Sequence, residues 1–404
     1  MGRLPIKKAW GWLAGAGLLL AACSSSPPPA AEDPLQDYLA TAWQPPVRYL
    51  VQAGKARWTL GDTAVEVAWL VPRGVARAPL IVYLPGLGET AEGGGQWRRA
   101  WAEAGYAVLS LQAPEDGRAV YRSKEARTGN FRTVARQAFA ESAVQARARQ
   151  VVQALGELRQ QAAQGDLVFS AIDFRRWLVA GFDLGARTAA WLAGARDSGQ
   201  TPLDPAPLGA VLLSPYAEEN AADAARFARL QGQLLSVTGP RDEDPFNWVA
   251  HPGQRLLPWQ NSRTPGCQLL LAEATHQTLS GGMVSRLQSM DAGDEPQQGD
   301  SPPGRGRRPA GRLASQMSDD RQGSAEQGRG GRAGPDDGRN TRREPGRGAG
   351  DLEPPVDYRQ RGAIQAISIA FLEARISHQS QATQWLNGPA SQWLSGQGSL
   401  VCRP

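Results

Sequence analysis

Apolar positions along the chain fall into short runs separated by longer stretches of helical period. Residues 48–60 and 64–71 alternate apolar and polar side chains and meet at Gly61-Asp62, a hairpin turn pair. Leu80-Ile81-Val82-Tyr83-Leu84 is apolar throughout, as suits a strand covered on both faces of a parallel sheet. Residues 106–111, 177–180, 210–213, 234–237 and 268–271 are further strands of this kind. Helical stretches lie between them at 96–104, 134–163, 184–196 and 217–230, with another at 359–375. In the longest, Val144, Ala148, Val151, Val152 and Leu155 recur at helical spacing. This alternation predicts an α/β protein with a doubly wound, mostly parallel sheet, its body spanning 46–283 and closing with helices in 356–404.

The N-terminal pattern is of another kind. Arg3, Lys7 and Lys8 precede an apolar run over 9–20 that is shorter than the roughly 20 residues a membrane span needs. Leu20-Ala21-Ala22-Cys23 closes it, and the whole resembles the signal and lipobox of bacterial lipoproteins. That resemblance implies a signal peptide over 1–22 and acylation of Cys23, so that a lipid anchor holds the chain to a membrane. Ser24, rather than aspartate, follows the cysteine, which favours the outer membrane and a periplasm-facing location. Residues 23–45 are expected to be a tether, with Ser, Pro and Ala concentrated in 24–34.

Composition sets residues 284–355 apart. They are Gly, Arg, Pro, Asp, Gln and Ser with few aliphatic side chains, and cannot bury enough apolar surface to offset the entropy of ordering. A disordered insertion is the expectation. Its arginines, among them Arg305, Arg307, Arg308, Arg342 and Arg343, have no interleaved stacking aromatics, so no nucleic-acid partner is expected. The chain has three histidines and three cysteines, too few to suggest a metal cluster, and no cofactor is implied. Beyond Cys23 only Cys267 and Cys402 remain, and an oxidising compartment would permit them to pair.

The most informative stretch is Arg176-Trp177-Leu178-Val179-Ala180-Gly181-Phe182-Asp183-Leu184-Gly185-Ala186. An apolar strand runs through Gly-Phe-Asp-Leu-Gly into a helix of small residues. This resembles the nucleophile elbow of α/β-hydrolases, normally Gly-x-Ser-x-Gly. Three other segments follow the order of that family. Pro85-Gly86-Leu87-Gly88, after the 80–84 run, would supply an oxyanion N–H from Leu87 or Gly88, with Leu184 supplying the other. Pro240-Arg241-Asp242-Glu243-Asp244 follows a late strand and Gly239, so Asp242 is the expected acid and Asp244 the second choice. His276, after the 268–271 strand, stands where the family has its base. Arg255-Leu256-Leu257-Pro258-Trp259 and the C-terminal helices with Trp385-Leu386 are similar to secreted esterase, dienelactone-hydrolase-like and platelet-activating-factor-acetylhydrolase-like members. His251 and His378 have no such context. Phe182, Trp248 and Trp259 are candidate walls of a pocket for a small apolar ester-like ligand.

Asp183 departs from the family pattern. A carboxylate that attacks an ester carbonyl becomes the better leaving group, with a pKa near 4 against that of an alkoxide, so acyl transfer would run backwards. The resemblance therefore implies an envelope-bound ester- or lactone-hydrolase-like protein with weak or absent activity. One alternative is an Asp-nucleophile hydrolase of alkyl halides or epoxides. Against it, Leu184 stands where many such enzymes have Trp, and residues 214–233 leave room for one helix, not a large cap domain. The other alternative is a non-catalytic ligand-binding relative. In it, the helix N-terminus would stabilise the Asp183 anion and His276, between Asp183 and Asp242, would favour its charged form.

Overall fold

The computed structural model describes residues 33–200, 203–282 and 357–404. The expected signal peptide 1–22, the lipidation site Cys23 and the insertion 284–355 lie outside the described residues. Among the described residues no helix is long and apolar enough to cross a membrane.

Nine strands form one sheet: β1 (Val51–Leu60), β2 (Thr63–Pro72), β3 (Ala78–Leu84), β4 (Ala107–Gln112), β5 (Ile172–Phe182), β6 (Gly209–Leu213), β7 (Gln233–Thr238), β8 (Gly266–Leu271) and β9 (Gly398–Arg403). Their order is β1-β2-β4-β3-β5-β6-β7-β8-β9. The hairpin β1–β2 and the pairs β2–β4 and β8–β9 are antiparallel, and β4-β3-β5-β6-β7-β8 is parallel. The fold is thus α/β with a mostly parallel sheet.

The apolar run of β3 explains the layering. Ile81 and Tyr83 join a core with Trp97, Trp101, Ile364 and Phe371, from the helices Gly95–Glu103 and Asp357–Arg375. Leu80, Val82 and Leu84 point the other way, into a core with Val151, Leu155, Ala186 and Ala189 from the helices Glu141–Ala163 and Leu184–Leu192. Period-two side chains therefore bury both faces. A third apolar cluster lies beyond the carboxyl ends of the strands. It joins Val120, Val134 and Phe139, from the segment after β4, to Leu184, Tyr216 and Phe246. A single helix, Ala221–Phe227, lies between β6 and β7, and the cover over the elbow comes from residues 118–139 instead.

Several boundaries differ from expectation. The 134–163 helix is two, Phe131–Ala138 and Glu141–Ala163, broken at Phe139-Ala140. Neither proline nor glycine marks the break; the buried Phe139 turns the chain into the third cluster. The tether 23–45 does not extend to 45. Pro34–Ala40 is a helix capped by the Asp33 carboxylate, with Leu39 buried and Tyr38 stacked on Trp393 at 4.5 Å. Strand β9 was not expected from the sequence. It is a short polar-apolar edge strand whose Cys402 lies opposite Cys267 of β8, and the two are disulfide-bonded.

Candidate active site

Strand β5 ends at Phe182, and Asp183 turns the chain into the helix Leu184–Leu192 with φ 51° and ψ −112°. This is a sparsely populated conformation for a residue with a Cβ, and the surroundings hold it. The Asp183 N–H donates to Leu213 O at 3.0 Å, tying the turn to β6. The flanking glycines are required by close approach. A Cβ on Gly181 would stand 2.3 Å from the Gly185 carbonyl carbon, and one on Gly185 would stand 1.8 Å from Leu84 O.

His276 opens the short helix His276–Ser280, whose N-terminus is closed by a capping box between Thr275 and Thr278. Its Nδ1 lies 2.8 Å from Asp242 Oδ1. The acid is held from three sides. Ser214 Oγ donates to Asp242 Oδ1 at 2.8 Å, Thr238 Oγ1 donates to Oδ2 at 2.8 Å, and Asp242 is fully buried. Asp244 does not share this role. Its carboxylate accepts the N–H groups of Phe246, Trp248 and Val249 at 2.9, 2.5 and 2.8 Å and shapes the loop after β7.

Arg255 completes the cluster, 0% exposed. Its Nε donates to Asp242 O at 2.9 Å and its Nη1 to Ser214 O at 2.8 Å, while Nη1 stands 3.9 Å from Asp183 Oδ1. Nη2 reaches to 3.4 Å from His276 Nδ1. One guanidinium thus serves two buried carboxylates, which is how buried charge persists in a protein interior. Among the described residues no hydrogen bond joins His276 to Asp183. Asp183 is 2% exposed and its Oδ1 has no hydrogen-bond partner.

The expected stabilisation of the Asp183 anion is outweighed. Burial raises its carboxyl above the usual range, against the opposing pull of His276, Arg255 and the Leu184 N–H; Asp244 adds to the rise. Losing water around a carboxylate costs more here than a helix N-terminus returns.

Above the cluster is a cleft of about 560 Å³ lined by Leu87, Glu89, Tyr121, Phe182, Phe246 and His276, with other loop residues. Phe182 packs its ring 4.6 Å from the imidazole of His276. The other expected walls lie elsewhere. Trp248 stacks on Phe139 within the cover, and Trp259 is buried under Arg403, whose guanidinium sits 3.8 Å from the ring. Asp183 does not line the cleft. Of the expected oxyanion donors, Gly88 gives its N–H to Asp116 O at 2.8 Å and is not free to serve; the Leu184 N–H faces the Asp183 carboxylate. Leu87 lines the cleft.

Sequence reasoning missed Glu89. Its Oε2 accepts the Gly86 N–H at 2.8 Å, and desolvation pushes its carboxyl up to about 7, with the Asp183 charge adding to the rise. It also missed the roles of Ser214 and Arg255. A carboxylate at the elbow implies a buried cation to balance it, and Arg255 amid Leu256 and Leu257 was the available signal. His251 is exposed and paired with Glu219 at 2.9 Å, and His378 is exposed. Among the described residues no group of His, Cys, Asp and Glu is arranged to hold a metal ion.

No protein-family model matches this chain, and no curated protein sequence matches it.

Proposed function

We propose that this chain is an α/β-hydrolase-fold lipoprotein of the bacterial envelope, with an ester- or lactone-hydrolase-like site that no longer runs acyl transfer through its elbow and a cleft that takes a small apolar ester-like ligand. Support for the fold comes from chain order: elbow residue after β5, acid after β7, histidine after β8, the nucleophile–acid–base order of that family. The lipid anchor rests on the lipobox-like sequence at Cys23.

The observation that carries the loss of acyl transfer is the position of Asp183. It is buried beside Arg255 and faces the amide that would otherwise stabilise an oxyanion, while the His276–Asp242 hydrogen bond is intact. An ester carbonyl seated in the cleft meets an imidazole with its orienting acid, but the elbow position holds a carboxylate where the family has its hydroxyl. The same burial disfavours displacement at an alkyl halide or epoxide, since the carboxylate must reach the carbon it attacks.

The test is turnover of short p-nitrophenyl esters by the purified chain and by Asp183→Ser. Little or no turnover by the natural chain and a gain in the variant are expected. Robust turnover by the natural chain that disappears in Asp183→Ala would overturn the reading.

A further inference from the structure

Three side-chain hydroxyls line the cleft above the cluster, and none is hydrogen-bonded to His276. Ser280 Oγ donates to Gln277 O at 2.8 Å, and Thr275 Oγ1 accepts the Thr278 N–H at 3.2 Å. Burial raises the Tyr121 hydroxyl above its ordinary 10, so it stays a phenol at neutral pH. A second cavity, also of about 560 Å³, opens on the other side of Glu89, between β2 and the start of the helix Gly95–Glu103. No histidine or cysteine lines it.

The imidazole of His276 is placed differently. Its Nδ1 lies 2.8 Å from Asp242 Oδ1, and a carboxylate oxygen only accepts, so Nδ1 holds the hydrogen and Nε2 the lone pair. Asp242, Ser214 and Arg255 enclose the Nδ1 side and are themselves 0% exposed; Arg255 Nη2, at 3.4 Å, is the longer contact. Across the ring the imidazole meets the cleft. The side chain is 14% exposed, and Nε2 has no hydrogen-bond partner among the described residues and is not buried. Leu87, whose N–H is not spent elsewhere among the described residues, lines the same cleft. An oriented imidazole with an open lone pair, beside no base-activated hydroxyl, is a nucleophile in its own right.

We propose that His276 Nε2 is itself an acyl acceptor, taking the acyl group of activated donors (aryl esters, thioesters and acyl phosphates) to form an acyl-imidazole. This rests on the reading of the cleft as an ester-like site. Nε2 attacks the carbonyl carbon, the N–C bond forms, and the bond to the leaving group breaks with its electron pair on the phenolate, thiolate or phosphate. The acyl-imidazolium keeps its Nδ1 hydrogen, and the Asp242 carboxylate opposite stabilises its positive charge. Water then adds to the carbonyl, the N–C pair returns to Nε2, and a proton passes to solvent as the carboxylic acid leaves. Leaving groups set the substrate class: imidazole departs from the tetrahedral adduct before an alkoxide does, so alkyl esters revert. Turnover stays slow even for activated donors, because acylation consumes the lone pair that would activate the incoming water.

The experiment mixes the full purified chain with p-nitrophenyl acetate, and separately with ethyl acetate, and follows nitrophenolate release, intact mass and the acetylated peptides. A burst of about one nitrophenolate per chain ahead of a slow phase is expected from the first ester. The peptide carrying His276 should hold an acetyl group that hydroxylamine removes, unlike acetyl on a lysine amine, and ethyl acetate should leave none. His276→Gln should lose the burst, and Asp242→Asn should slow it about tenfold, as for loss of one charge-assisted hydrogen bond. Mapping on the natural chain keeps the result independent of how the variants fold. Absence of both burst and acetyl-His276 in the natural chain sinks this inference and leaves the loss of elbow chemistry standing. Acetyl mapped to Asp183 would overturn both.

Discussion

Two buried arginines stand on either side of the loop after β3, and they are built differently. Arg255 is closed: its donors are spent on Asp242 O and Ser214 O, and its charge on Asp183 and Asp242. Arg98 is open: one nitrogen bonds carbonyls, its Nε meets nothing, and burial lowers its pKa to about 10, still charged at neutral pH. The closed cation belongs to a charge network that needs no ligand. The open one keeps a buried N–H without an acceptor. Burial alone therefore does not tell how a charge is held; the satisfaction of its hydrogen bonds does.

The contrast can be broken most severely at Arg255. Arg255→Met leaves two buried carboxylates without their cation, and a loss of about 3–5 kcal/mol in urea unfolding is expected. A loss below about 1 kcal/mol would show that the network does not depend on the guanidinium.

A smaller effect, of opposite sign, is expected at Asp183. Its folded pKa lies above the ordinary 3.8 because of burial, so ionisation costs the folded state stability as pH rises. Asp183→Asn should therefore be more stable than the natural chain at pH 8, by roughly 1–3 kcal/mol. The gain should shrink as pH falls and vanish below the unfolded value of 3.8. Thermal unfolding across pH measures it, and a pH-independent difference would contradict the assigned cause.

The smallest effect is expected at Glu89, on the wall between the two cavities. Burial raises its carboxyl from 4.5 to about 7, although part of the side chain meets solvent. The sign is again destabilising above the folded pKa. Glu89→Gln should gain stability above pH 7, by less than about 1 kcal/mol after solvent screening, and gain none below 4.5. Equal melting temperatures at pH 8 would remove Glu89 from the electrostatics of both cavities.

Much of this was legible locally. The run Leu80–Leu84 announced a strand buried on both faces, and Gly61-Asp62 a hairpin, because strand period and turn chemistry are properties of neighbouring residues. Gly181 and Gly185 announced a tight turn for the same reason. The break at Phe139-Ala140 and the edge strand β9 had no such local mark: one depends on an aromatic docking into a distant cluster, the other on pairing with β8.

The amino-acid order by itself determined the strand–helix alternation, the strained turn and the presence of aspartate in it. Asp242 and Asp244 were two residues apart and locally equivalent; only tertiary structure gave one to His276 and the other to three loop amides. Only tertiary structure, likewise, brought Arg255 against Asp183, left Arg98 unsatisfied and set Glu89 between two cavities. The physical reason is that desolvation and charge pairing are set by segments far apart in the chain, and so have no period or spacing to read.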